Sequence, residues 1–205
     1  MLYGNKVRPS EPAIHLARAR ERYRLAIAPA PQITIGAWAV LALLREGDTH
    51  GWTLVRALEP GGEIGCVWSI KRALVYRTID QVIDARLVER AGAEHGERGS
   101  TRTLLHATQP GRNAVDRWLS EPVAHVRDLR STLLLKLLFA QRSGRDRAPL
   151  LHAQHAMLTR LLETLDAQTP ADDVPETTVH AFRLETARAG QRFVEGELAR
   201  LSRAR

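Results

Sequence analysis

Cysteine is nearly missing: Cys66 is the one thiol in 205 residues. A single cysteine closes no internal disulfide, so the chain carries no mark of an oxidising compartment. Zinc fingers and iron–sulfur sites are left without their thiolates, and Cys66 itself reads as a buried small residue. Aromatics are scarce, at 5%. The greasiest stretch, Leu133 to Ala140, is broken by Lys136 and falls far short of the ~20 residues a bilayer needs. The opening, MLYGNKVRPSEP, holds no apolar signal core. These absences predict a soluble, cytoplasmic protein with no membrane partner. Nucleophile-elbow and phosphate-loop glycine patterns are missing as well. His152 and His155 share a helix face, but no third ligand stands near them in sequence. Neither an enzyme, nor a metal site, nor a cofactor is expected.

What is there is enough for a core. The chain is 44% hydrophobic and 26% charged, close to a globular average. Lys+Arg is 30 against 23 Asp+Glu, a net charge of +7, and such a surplus attracts polyanions at long range. Part of it sits in residues 1–32, where Lys6, Arg8, Arg18, Arg20, Arg22 and Arg24 face Glu11 and Glu21. Pro12 to Ile27 reads as a short helix of poor periodicity. Pro29 and Pro31 then stop it, because proline lacks a donor and restricts the residue before it. Residues 1–32 are therefore expected to be a basic extension and linker.

Helical signals begin after Thr34. Ile35, Trp38, Ala39, Leu41, Ala42 and Leu44 fit a buried helix closed by Gly47. Asp48 or Thr49 would cap a second helix, Gly51 to Glu59, ended by Pro60-Gly61-Gly62. Ser69 would cap a third, Ile70 to Arg86, with Val75, Ile79, Val82 and Ile83 on one face. Ala73, Arg77, Gln81 and Asp84 fall on the other. Strands follow at Leu87 to Ala93 and Thr101 to Ala107, around the polar loop 94–100, and read as a hairpin. Pro110-Gly111 precedes a short helix through Trp118. This order predicts a winged helix-turn-helix, three helices plus a two-stranded wing, over 33–120. Residues 121–205 read as all-helical: Asp128 to Arg142, Leu150 to Gln168 and Glu176 to Arg203. In the last, Leu184, Ala187, Gln191, Val194, Leu198 and Leu201 alternate steps of three and four. That is a heptad seam with one polar member, and it predicts a homodimer built on these six residues. Trp38, Trp52 and Trp68 read as core, and His50 as a packing or capping residue.

Four stretches in this order resemble the PadR family of bacterial transcriptional regulators. The first is Ala39 to Trp52, an apolar helix, a glycine and then His50-Gly51-Trp52. The second is Trp68 to Arg77, similar to a Trp-led recognition helix with its tyrosine. The third is Arg102 to Arg112, similar to the wing's second strand and the Thr108-Gln109-Pro110-Gly111-Arg112 entry to the next helix. The fourth is Asp128-Leu129-Arg130 with Leu133 to Phe139, similar to the family's leucine-lysine helix. The stretches run from Ala39 to Phe139, and the resemblance covers about 35 to 203 in the same order. There are departures: Ala73 and Leu74 stand where the family has a small polar residue, Leu104 and Leu105 replace the wing's tyrosines, and Glu94 and Glu97 sit at the wing tip.

The resemblance implies a repressor that binds double-stranded DNA as a homodimer, on a pseudo-palindromic operator with half-sites about one or two turns apart. DNA contacts are expected from Lys71, Arg72, Ala73, Tyr76 and Arg77 on the third helix, and from Arg98, Ser100 and Arg102 on the wing. Arg77 is the candidate for a guanine edge; the wing cations position rather than read. The resemblance also implies a small aromatic or amphipathic effector near the dimer interface, with Trp118 as a candidate lining residue. The rival reading is a non-enzymatic interaction or ligand-binding module that kept the fold without specific DNA reading. Ala73, Leu74 and the acidic wing tip favour it.

Overall fold

The computed structural model describes residues 33–95, 101–168 and 174–203, with side chains at all of these but 93–95, 101–102 and 174–176. The expectations for residues 1–32, and for Arg98 and Ser100, lie outside the described residues.

Helix α1 spans Ile35–Glu46. The Thr34 hydroxyl accepts the Ala37 N–H at 3.2 Å, satisfying one of the donors that a helix start leaves open. Gly36, Ala37 and Ala39 to Leu44 are all buried. A helix apolar nearly all round must lie in a core, and α1 is the central rod of the winged half. Two residues later, Thr49–His50 form a short strand, β1. Helix α2, Gly51–Leu58, follows directly and buries Leu54, Val55 and Leu58. A looped segment returns to Ile70, whose N–H bonds to the Leu58 carbonyl at 3.0 Å. Helix α3 then covers Arg72–Asp84. It is shorter than the expected Ile70 to Arg86, and Ser69 does not cap it. The cap position is Lys71, through backbone only, because Ile70 is held extended against the end of α2.

The end of α3 is a Schellman turn. The Arg86 N–H bonds to the Ile83 carbonyl at 2.8 Å, and the Leu87 N–H to the Val82 carbonyl at 2.9 Å. Arg86 has φ 57°, the one non-glycine residue in the left-handed region among those described. Glycine usually takes that place. Strands β2, Val88–His95, and β3, Thr101–Ala107, pair antiparallel from Val88↔Ala107 to His95↔Thr101. The register shifts between Arg90 and Gly92, and Gly92 adopts φ 130°, as a bulge requires. β1 pairs with the far edge of β3, giving the sheet order β1-β3-β2. β1 was not foreseen: two residues carry no alternation to read.

Helix α4, Gln109–Ser120, starts at Thr108, whose hydroxyl accepts the Gly111 N–H. A Cβ on Gly111 would lie 2.1 Å from the Leu87 carbonyl oxygen, so only glycine permits this close approach. The expected helix from Asp128 to Arg142 is part of three segments of different pitch. A 3₁₀ turn covers Val126–Asp128 and a π turn Leu129–Leu133. Helix α5 covers Leu134–Arg142. Helices α6, Ala148–Asp166, and α7, Val174–Arg203, pack on each other. Their core holds Leu133, Leu137, Leu151, Leu158 and Val194, with Leu129, Leu198 and Leu201 against it. A second cluster joins Leu162 and Leu165 to Ala187 and Leu184.

The residues expected to form a dimer seam take part in that packing. Leu184, Ala187, Val194, Leu198 and Leu201 all face α6 or α5 of the same chain, and the Gln191 side-chain amide donates to the Thr159 hydroxyl of α6 at 3.0 Å. Ala187 and Val194 are buried there, and Leu184, Gln191, Leu198 and Leu201 are half-buried.

From Thr34 onward the chain is one compact unit, and charged contacts tie its halves together. Arg142 of α5 clamps Glu46 of α1, at 2.8 and 2.7 Å, and reaches Glu63 at 2.7 Å. These bonds hold its guanidinium more firmly protonated than usual, Glu46 first and Glu63 second. Arg45 bonds Asp116 at 2.6 Å, and Arg145 joins the same carboxylate.

Candidate nucleic-acid interface

Helix α3 divides into two faces. Val75, Thr78, Ile79 and Val82 are buried. Lys71, Arg72, Ala73, Leu74, Tyr76, Arg77, Asp80, Gln81 and Asp84 are exposed. The division follows from the spacing of the apolar residues at i, i+4 and i+7. Lys71, Arg72, Ala73, Tyr76 and Arg77, predicted as contact residues, thus come together on one outward surface at the helix start. No acidic residue sits in that first turn. Its open backbone N–H groups and two cations make a local positive field.

Tyr76 is 39% exposed. One edge of its ring lies against Gly51, where an added Cβ would stand 3.0 Å from Cε1. The Arg72 guanidinium lies 5.8 Å above the ring centre, a cation–π arrangement that holds the cation at the surface. Beside Tyr76 is a cleft of about 360 Å³ lined by His50, Gly51, Trp52, Tyr76 and Thr103. His50 closes it from β1, its Nδ1 3.1 Å from the Thr103 carbonyl oxygen. It packs there and makes no side-chain cap to α2.

Trp52 corrects its expected place in the core. It is 56% exposed, with the Arg56 guanidinium 5.4 Å over its ring. Leu54, Val55 and Leu58 already fill the inner face of α2, and Trp52 falls outside it. Trp52, Arg56 and Leu74, at 43% exposure, are surface residues that sequence reasoning missed. Their outward direction depends on which side of each helix packs, and the apolar pattern alone does not fix it. Cys66 is also exposed, not buried; its thiol donates to the Glu63 carbonyl at 3.3 Å.

The wing side is mixed in charge. Arg90 of β2 reaches Asp80 of α3 at 3.5 Å, tying α3 to the sheet. Asp84 and Glu89 are exposed nearby in sequence. Arg102 lies on β3, but its side chain lies outside the described ones. The root of β3 is locked to α4: Arg112 bonds the His106 ring at 3.0 Å, the Ala107 carbonyl and the Gln109 amide oxygen at 3.2 Å. The other His106 nitrogen meets Asp48 at 2.6 Å.

Trp118 is buried at the joint between the two halves. It stacks on Trp38 at 5.2 Å with 6° between planes, and its edge meets Phe139. The Lys136 Nζ lies 5.3 Å over its ring and donates to the Glu121 carbonyl at 2.5 Å. Burial pushes the Lys136 ammonium down to about 8, partly offset by the Glu121 carboxylate. Of the two helix-face histidines, His155 pairs with Glu195 at 3.0 Å. No group of three metal-ligating side chains occurs among the described residues. None of their helices is long and apolar enough to cross a membrane.

Three helices, a three-stranded antiparallel sheet with a projecting hairpin, and a helical pair define a winged helix-turn-helix with a helical C-terminal region. A search of solved structures finds partial likenesses. The chain is similar to Bacillus subtilis PadR in complex with operator DNA, with a TM-score of 0.41 and 19% identity over 79% of this chain and 97% of that one. Against the same protein in complex with p-coumaric acid the TM-score is 0.39, at 19% identity over 82% and 99%. The adhesin competence repressor of Streptococcus pyogenes gives 0.31, at 16% identity over 77% and 100%. No protein-family model and no curated protein matches the sequence.

Proposed function

We propose that this chain is a non-enzymatic, PadR-like transcriptional regulator that docks α3 in the major groove of duplex DNA. The observation that carries the reading is the outward surface of α3, where Lys71, Arg72, Tyr76 and Arg77 stand clear of the core on the helix's first turns. A duplex presents about one negative charge per ~1.7 Å, and recognition helices meet base edges with their N-terminal residues. Lys71 and Arg72 hold phosphates, Arg77 reads a guanine edge, and Tyr76 brings its hydroxyl to the backbone. Arg98, Ser100 and Arg102 of the wing fix register on phosphate or minor groove.

The functional unit we infer is a homodimer, so the operator is pseudo-palindromic. Its contact is the outer face of α7 instead of the inner seam. Phe182 is 71% exposed, and Val179 and Phe193 are exposed with it. Phe182 and Phe193 lie about three turns apart on nearly the same side of the helix. A second copy, laid antiparallel, would cover both rings. Repression is relieved when an aromatic or amphipathic effector favours one spacing of the two α3 helices over another. Trp118, beneath Trp38, is the residue through which such a molecule would be felt at the joint.

A rival reading has observations of its own. Asp80, Asp84 and Glu89 are exposed on or beside α3, and carboxylates oppose phosphate. An interaction module that retained the fold would tolerate them. Electrophoretic titration across salt concentrations separates the two. The regulator binds one selected duplex far more tightly than random DNA and weakens steeply as salt rises. Arg77→Ala then costs about 1–3 kcal/mol at one base pair. Equal, salt-insensitive binding to every duplex overturns the reading.

A further inference from the structure

Six apolar residues lie along α3: Ala73, Leu74, Val75, Ile79, Val82 and Ile83. Val75, Ile79 and Val82 are spent on the core. Ala73 and Leu74 are not; both are exposed in the first turn. Leu74 is the one large aliphatic side chain left more than 40% exposed in the winged half of the described residues. Its neighbours Lys71, Arg72 and Arg77 are the cations that would bring this turn to a duplex.

We propose that Ala73 and Leu74 read thymine methyl groups in the major groove, so that this chain selects its half-site by apolar contact beside the guanine taken by Arg77. The inference rests on the DNA-binding reading and deepens it. The C5-methyl of thymine is the largest apolar group any base offers in the major groove. A leucine pressed against guanine O6 and N7, or adenine N7, would strip water from an acceptor and return no donor, and such an unsatisfied group is costly. Against a methyl it loses nothing and gains buried apolar area. Ala73 and Arg77 stand one turn apart on the same outer stripe, so their contacts fall on neighbouring base pairs. Leu74 lies to one flank and reaches the adjacent step. The small Ala73 side chain lets the helix backbone sit close to the bases. Asp80 and Asp84, further along the helix, disfavour phosphate there and confine the reading to the first two turns.

The test uses the full-length protein and a duplex it enriches from a random library. Each thymine of that duplex is replaced in turn by deoxyuridine, which removes the methyl and keeps the pairing. The expected result is one or two thymines per half-site at which deoxyuridine weakens binding about fourfold per methyl. Leu74→Ala removes the penalty at one of those thymines and leaves the others. Leu74 is a surface residue, so the variant keeps the parent's thermal melt. Deoxyuridine duplexes that all bind like the parent, or a Leu74→Ala variant that keeps every penalty, overturn the methyl reading alone. Failure to enrich any duplex overturns the DNA-binding reading, and this inference falls with it.

Discussion

Helices α3 and α7 are both amphipathic, and both leave apolar side chains in water, but they do so differently. In α3 the exposed aliphatic residues are two, Ala73 and Leu74, set among Lys71, Arg72 and Arg77. In α7 they are two phenylalanines and a valine on a face of their own, opposite a stripe already filled by α6. The first pattern suits a polyanion with scattered methyl groups. The second suits another protein surface. A stripe of apolar residues thus says that a helix has a partner, and the quality of the remaining face says whether a second partner exists and of what kind.

The largest effects separate the two faces of α7. Leu158 of α6 is 2% exposed in the shared core. Leu158→Ala should cost about 2–5 kcal/mol through lost burial and the cavity left behind, read by thermal or denaturant unfolding. Phe182→Asp should change protomer stability by no more than about 0.5 kcal/mol, as surface changes do, yet halve the mass measured by light scattering. A Phe182→Asp protein that remains a dimer would return the interface to some other surface.

A mid-sized effect concerns the joint between the halves. Lys136 is charged and buried over Trp118, with its folded pKa near 8 against 10.5 when unfolded. Below about pH 8 both states are protonated and the folded state carries the full desolvation cost. Between 8 and 10.5 the unfolded state holds more protons, so stability rises with pH relative to a chain lacking the group. Lys136→Met should therefore be no less stable than the parent at pH 7. Its advantage should shrink as pH climbs through that window, measured by denaturant melts. Parallel pH curves would mean the ammonium is better solvated than its 3% exposure implies.

The smallest effect is at the end of α3. Arg86 occupies a left-handed position, which costs a residue with a side chain roughly 1–2 kcal/mol. Arg86→Gly should recover about 0.5–1 kcal/mol after glycine's own entropy cost. It should do so without moving α3, as amide exchange of Thr78 to Val82 would report.

Much of the winged half was legible because its signals are local. Thr34 and Gly47 bracket α1, and the apolar spacing of α3 names its inner face, whereas α4 takes in Pro110 and Gly111, which read as a break before it. What escaped depends on distant chain. β1 exists only because β3 lies beside it. The start of α3 is moved from Ser69 to Lys71 by a bond between Ile70 and Leu58 that no local cap rule contains. The π turn at Leu129–Leu133 leaves no trace in the hydrophobic pattern, although Gly190 marks where Leu129 presses against α7: a Cβ there would stand 2.5 Å from it. Of the candidate site, the α3 cations and Tyr76 were readable from one face of one helix. The exposure of Trp52, and of Phe182 and Phe193 on α7, was not, since each required knowing which side another element had taken.

The most direct measurement is a hydroxyl-radical footprint of the full-length protein on its enriched duplex, run beside Arg77→Ala. Docking of two α3 helices predicts two protected patches on one side of the duplex, about one or two turns apart, with the variant losing both. A single patch, continuous protection without register, or a pattern unchanged by Arg77→Ala would contradict it.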